Sequence, residues 1–119
     1  MEFKQTQKIK SLALQAREDF ENKKINDKTL AKLYNSYNKL DNVSKFISSS
    51  KKLFPKLNCG LASVYLKHKL KSGRIIHGYY KNNKHTFLSL SNNFIIDITA
   101  DQFGGPRIYL GPLQSPWKL

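Results

Sequence analysis

Apolar residues in the first half of the chain recur at helical spacing. Ile9, Leu12, Ala13, Ala16 and Phe20 fall at i, i+3, i+4, i+7 and i+11, which is one face of a helix. Leu30, Leu33, Tyr34, Tyr37 and Leu40 make a second stripe, with Asp27 expected as its cap. Asp41-Asn42 interrupts the pattern. A shorter helical piece follows around Phe46 and Ile47, with Pro55 at or just beyond its end. From about Asn58 to Leu70 the apolar positions Leu61, Ala62, Val64, Tyr65, Leu66 and Leu70 cover more than one face, which predicts a helix buried on several sides. Lys67, Lys69 and Lys71 crowd its C-terminal end, where cations suit the dipole, and Gly73 is expected to stop it.

After Gly73 the period shortens. Arg74–Tyr80, His85–Leu90, Phe94–Ile98 and Arg107–Leu110 read as β-strands, separated by turn chemistry at 81–83, 91–93 and 104–106. The tail from Gly111 to Trp117 reads as irregular. Helices followed by hairpins predict an α+β fold: N-terminal helices, then a central buried helix with a cysteine at its start, packed on a small antiparallel sheet. The 119 residues suit one domain, with a helical subregion at 1–54 and the later helix plus sheet at 55–119.

Composition narrows the class. The aromatic share of 12% argues against disorder, and a single cysteine excludes an intramolecular disulfide framework and a multi-Cys zinc site. No apolar run approaches the ~20 residues of a membrane span, and the start at Met1-Glu2-Phe3 lacks a signal-type stretch. A cytoplasmic protein is expected, or one secreted without a cleavable signal peptide. The net charge of +13 is spread evenly, +7 before residue 57 and +6 from there on, so there is no basic tail. Such a surface suits an acidic partner protein or nucleic acid, although Lys greatly outnumbers Arg and grips phosphate less well.

Three residues carry candidate chemistry. Cys59 opens the buried helix behind Asn58, where unpaired N–H groups and the dipole favour a thiolate, and Gly60 leaves room for a substrate. His85 begins a strand. Asp97 lies between isoleucines, where a carboxylate needs a partner. If Ser91-Asn92-Asn93 is a three-residue loop, opposed residue numbers sum to 184, and His85 and Asp97 become diagonal neighbours on one face. A two-residue loop would put them on opposite faces. Asp101 and Gln102 either line the site or serve as structural hydrogen-bonders, with the structural role favoured.

The order Cys59, His85, Asp97 on helix, strand and strand resembles the transglutaminase-like and papain-like cysteine enzymes. The resemblance rests on Asn58-Cys59-Gly60-Leu61-Ala62-Ser63, Gly78-Tyr79-Tyr80, His85-Thr86-Phe87 and the run from Ile96 to Phe103, and covers roughly residues 55–110. Phe87 stands where that family often has Trp, and no Gln precedes Cys59. The resemblance implies Cys59 as nucleophile, His85 as base and Asp97 as orienter, with oxyanion donors from the Cys59 backbone plus Asn58 or another side chain such as Gln102. It further implies an amide substrate on a protein or peptide, cleaved, deamidated or transamidated without a cofactor, and a bacterial toxin or effector as one setting. A metal is disfavoured, because Cys59, His77 and His85 have no ligand spacing.

The alternative is a basic nucleic-acid binder or small metal-independent nuclease toxin. There His68, His77 and His85 would move protons, while Tyr79, Tyr80, Phe87 and Tyr109 would form a stacking platform. A small inhibitor or adaptor would leave the Cys–His–Asp order unexplained.

Overall fold

A computed structural model describes residues 3–56 and 58–119; Met1, Glu2 and Leu57, and with them the reading of the first residues as lacking a signal, lie outside the described residues. Four helices come first: α1 (Phe3–Glu21), α2 (Asp27–Tyr37), α3 (Val43–Leu53) and α4 (Cys59–Leu70). Five strands follow: β1 (Arg74–Tyr80), β2 (Asn83–Ser89), β3 (Phe94–Asp97), β4 (Tyr109–Pro112) and β5 (Trp117–Lys118). They form one antiparallel sheet in the order β4-β3-β2-β1-β5. The fold is α+β, and no helix among the described residues is long and apolar enough to cross a membrane.

The two faces of the sheet carry different cores, as the two-residue period of a strand requires. Leu88 and Ile96 belong to one core with Ala13, Ala16, Leu30, Ile47, Leu61 and Leu66; α4 lies on β1 and β2, and α1 and α2 pack on α4. Phe87 and Ile95 point the other way and join Tyr80, Ala100 and Trp117. The helical stripes are as the spacing predicts, except that Tyr37 stays 40% exposed at the end of α2 and Leu40 lies beyond that helix.

Several local expectations are corrected. Asn26, not Asp27, caps α2: its Oδ1 accepts from the N–H of Lys28 at 2.8 Å. Asp27 becomes the first helical residue and pairs with Lys51. Helix α4 ends at Lys71 in the left-handed conformation (φ 55°) rather than at Gly73. Gly73 itself has φ +104°, and a Cβ there would lie 2.9 Å from the Leu88 side chain, so it serves the entry to β1. Strand β2 starts two residues early, at Asn83, because Lys81 and Asn82 alone make the turn. Strand β4 begins at Tyr109; Arg107 instead reaches back to Glu21.

The tail is not irregular. Trp117 and Lys118 pair with Tyr80 and Tyr79 and add a fifth strand. This works because position 78 is glycine: a Cβ there would sit 2.4 Å from the carbonyl oxygen of Lys118.

Arg17 fastens α1 to the segment after β3. It is 4% exposed, donates to the Ile98 carbonyl at 2.6 Å and grips both carboxylate oxygens of Asp101 at 2.8 and 2.7 Å. Its Nε lies 3.2 Å from Glu21 Oε2 but outside hydrogen-bonding geometry, and the guanidinium covers the Phe54 ring at 4.7 Å. Removing a buried partner strands the other groups, so Arg17→Ala should cost about 3 kcal/mol of unfolding free energy in urea titrations. Arg107→Ala breaks an exposed pair with Glu21 and should cost less than about 1 kcal/mol. Equal losses would refute the anchoring role of Arg17.

Candidate active site

The register decides whether the histidine and the aspartate meet. Leu88 opposes Ile96 and Ser89 opposes Ile95, so the opposed numbers sum to 184. Ser91–Asn93 form a single 3-10 turn that fills the odd-length loop, closed by the Leu90 N–H on the Phe94 carbonyl at 2.7 Å. His85 Nε2 consequently lies 2.6 Å from Asp97 Oδ2, with both residues 2% exposed.

Asp97 is surrounded by donors. Oδ2 also receives the Trp117 indole N–H at 2.8 Å. Oδ1 receives the Thr99 N–H at 2.9 Å and its hydroxyl at 3.4 Å. A buried ionised carboxylate needs this set, since each lone pair left without a donor would be costly. Trp117 is the site residue that the pattern of the chain hid, because its partner comes from a strand of only two residues. Its composition held a hint: the sole Trp has an N–H that needs an acceptor when buried, and only Asp97 and Asp101 are acidic after residue 57.

The histidine and the cysteine approach from opposite sides. His85 shares the face of Phe87, whereas α4 packs on the Leu88 face. β2 and β3 pair at two positions only, and the first turn of α4 reaches β2 at Thr86, next to His85. Ser63 Oγ donates to the Thr86 carbonyl at 3.3 Å, and Thr86 is one of the two residues whose polar groups act on the Cys59 thiol. His85 is the other, and the two groups favour each other's charged forms; its Nδ1 is buried with no partner in hydrogen-bonding geometry. With Nε2–H held by Asp97, Nδ1 is the nitrogen left for the proton of Cys59.

Burial pushes the Cys59 thiol up, but the hydrogen bonds from His85 and Thr86 outweigh it and its pKa falls below the ordinary value. Burial likewise opposes a charged His85. Hydrogen bonds to Asp97 and Cys59 prevail and push its pKa up to about 9. A thiolate–imidazolium pair is the charge state that both shifts favour.

The weaker expectations fare differently. Asn58 precedes α4, yet its side chain does not cap it: Nδ2 donates to the carbonyls of Ser50 at 2.9 Å and Lys56 at 2.8 Å. Asn58 is 1% exposed and both its donors are used, so it is no oxyanion donor. The first helical bond runs from Ala62 N–H to the Asn58 carbonyl, so the N–H groups of Cys59, Gly60 and Leu61 precede the ladder and lack intrahelical acceptors. The open side of Gly60 faces the Tyr34 hydroxyl, 3.6 Å from where a Cβ would sit. Gln102 donates to the Thr99 carbonyl at 3.0 Å, and Asp101 belongs to Arg17. Tyr80 (4% exposed) and Phe87 (0%) are core residues, so the four aromatic residues make no exposed stacking platform. Among the described residues no cluster of three or more His, Cys, Asp or Glu side chains could hold a metal ion.

Comparison with family models, curated proteins and solved structures finds no match to this chain.

The two shifts have opposite linkage to pH. The raised His85 contributes stability that is complete below 6.5 and lost as pH rises through about 9. The depressed Cys59 contributes stability present above 9.0 and lost as pH falls through its folded value. Where the folded thiol has lost its proton and the histidine has kept its own, the two slopes oppose each other. Cys59→Ser removes one side of the balance. Its stability should fall as pH rises from 6.5 toward the folded His85 value, by up to about 1.4 kcal/mol per pH unit. The parent protein should fall less steeply in the same urea titrations. Parallel slopes would refute the coupling.

Proposed function

We propose that the protein is a cysteine-nucleophile enzyme acting on an amide bond, of the transglutaminase-like or papain-like kind. One observation carries this reading. A buried histidine is fixed by Asp97 through Nε2, while its other nitrogen faces a thiol at the start of a helix. A structural histidine in a core has no need of an unpartnered nitrogen. The resting charge state and the order of elements support the same reading.

The Cys59 thiolate attacks the carbonyl carbon, forming a C–S bond and an oxyanion. The backbone N–H groups at the start of α4 stabilise that oxyanion. The C–N bond then breaks as His85 transfers its Nδ1 proton to the leaving amine. His85, now neutral, takes a proton from water or from an acceptor amine, which attacks the thioester and expels the thiolate. Water gives hydrolysis or deamidation; an amine gives acyl transfer. Asp97 keeps the ring oriented and stabilises its cation through both halves. A toxin or effector that modifies a host protein is one setting that fits the size and charge.

Two measurements test the proposal. Alkylation of Cys59 by iodoacetamide should remain rapid below about pH 8, the range where an ordinary thiol slows, and His85→Ala should remove that advantage. Hydrolysis of peptidyl coumarin amides, or ammonia release from glutamine peptides, should fall about a thousandfold or more in Cys59→Ala. In the parent this turnover should also decline as pH rises through about 9, where His85 loses the proton it gives to the amine. An ordinary thiol profile, or nuclease activity that survives Cys59→Ala, would overturn the proposal in favour of the polyanion reading.

A further inference from the structure

We propose that the Tyr34 hydroxyl is the side-chain donor of the oxyanion pocket, and that the missing side chain of Gly60 opens that pocket beside Cys59. The inference rests on Cys59 being the nucleophile. The two amides expected to serve, Asn58 and Gln102, are committed elsewhere. Asn58 Nδ2 is held by the carbonyls of Ser50 and Lys56, and Gln102 Nε2 by that of Thr99.

Three features of the first turn of α4 agree. The turn is uncapped. Asn58 is of the type that caps a helix, yet its side chain makes no capping bond and its buried Oδ1 has no partner. Because the ladder starts with the Ala62 N–H on the Asn58 carbonyl, the N–H groups of Cys59, Gly60 and Leu61 stay open to a developing anion.

Gly60 is the second feature, since nothing local calls for glycine there. Its φ is not in the left-handed region. Among the described residues a Cβ would meet only Tyr34, with Oη at 3.6 Å and Cε1 at 3.8 Å, which is ordinary van der Waals contact. Alanine would fit the same backbone and is the better helix former. What glycine adds is a gap the size of a methyl group between this turn and the Tyr34 hydroxyl.

The third feature is the hydroxyl. Tyr34 reaches the turn from α2, with its ring packed on Phe46 at 4.8 Å. Its oxygen accepts from Asn38 Nδ2 at 3.5 Å, and no described residue takes its proton. The hydroxyls of Tyr37, Tyr65 and Tyr109 are by contrast engaged, with His77, Asp19 and the Pro112 carbonyl. A phenol has one proton to give. That of Tyr34 is left for a group entering over Gly60.

An oxyanion forms on the carbon that joins the Cys59 sulfur, next to Gly60 and the unpaired N–H groups. The phenol and the backbone donors then converge on one oxygen. Donors fixed in place before the reaction stabilise charge as it develops. His85 belongs to β2 and Tyr34 to α2, so proton transfer and oxyanion stabilisation come from different elements.

Two reagents separate this role from formation of the thiolate. Iodoacetamide loses iodide to the Cys59 thiolate without forming an oxyanion. p-Nitrophenyl acetate is attacked by the same thiolate at its carbonyl: the C–S bond forms, the π pair moves to oxygen, and its return expels p-nitrophenolate and leaves an acetyl thioester. The ratio of the acylation to the alkylation rate constant therefore reads the pocket. In the parent it should exceed the ratio for N-acetylcysteine by about tenfold or more, and Tyr34→Phe should lower it about tenfold. Gly60→Ala should lower it comparably without lowering the melting temperature, because the methyl fills the gap and suits the helix. A parent ratio equal to that of N-acetylcysteine, or a parent-like ratio in Tyr34→Phe, would overturn the assignment of Tyr34. A parent-like ratio in Gly60→Ala would overturn the pocket. An ordinary thiol pH profile for alkylation of the parent would overturn the nucleophile reading instead. If melting curves show Tyr34→Phe to be misfolded, Gly60→Ala decides.

Discussion

A carboxylate that is 98% removed from water must be ringed by donors, and those reaching Asp97 come from three separated stretches of chain. His85 lies twelve residues earlier on β2, Thr99 two residues later, and Trp117 twenty residues on. Each constrains the fold. The histidine demands an odd hairpin loop, the threonine a sharp exit from β3, and the indole a fifth strand. Aromatic rings then close around the polar cluster, with Phe103 edge-on to His85 at 5.3 Å and Tyr109 stacked on Trp117 at 3.9 Å. In that dry surrounding the hydrogen bonds of His85 strengthen, and an unsatisfied one would be correspondingly costly.

What could be read from the chain was what local chemistry decides. Helical stripes, the break at Asp41-Asn42 and the three-residue loop each depend on neighbours in sequence, and all appear in the structure. The loop was enough to place His85 against Asp97. What could not be read depends on partners far along the chain. Asn58 looks like a cap, but two carbonyls of the preceding segment claim its amide first. The tail looks irregular because two residues are too few for a β-pattern, and only pairing with β1 makes them a strand. Nothing in the spacing of His77 foretold Tyr37 and Thr86, which lie on its two nitrogens from separate elements.

The basic character divides by residue type. Two of the three arginines are spent on internal ion pairs, Arg17 with Asp101 and Arg107 with Glu21. The exposed excess is therefore mainly lysine, which attracts anions at a distance and grips them poorly. A charge of this kind suits encounter with an acidic surface more than specific recognition of phosphates.

Gly78 links the smallest side group in the sheet to its largest. Because β5 can approach only where no Cβ intervenes, the glycine governs where the indole falls, although it touches none of the reacting atoms. A chain can contain Cys, His and Asp in this order by accident. It is far less often that it also has a glycine in the middle of β1 and a tryptophan placed to land beside the aspartate. In a search for further proteins built this way, those two positions would therefore discriminate better than the triad itself.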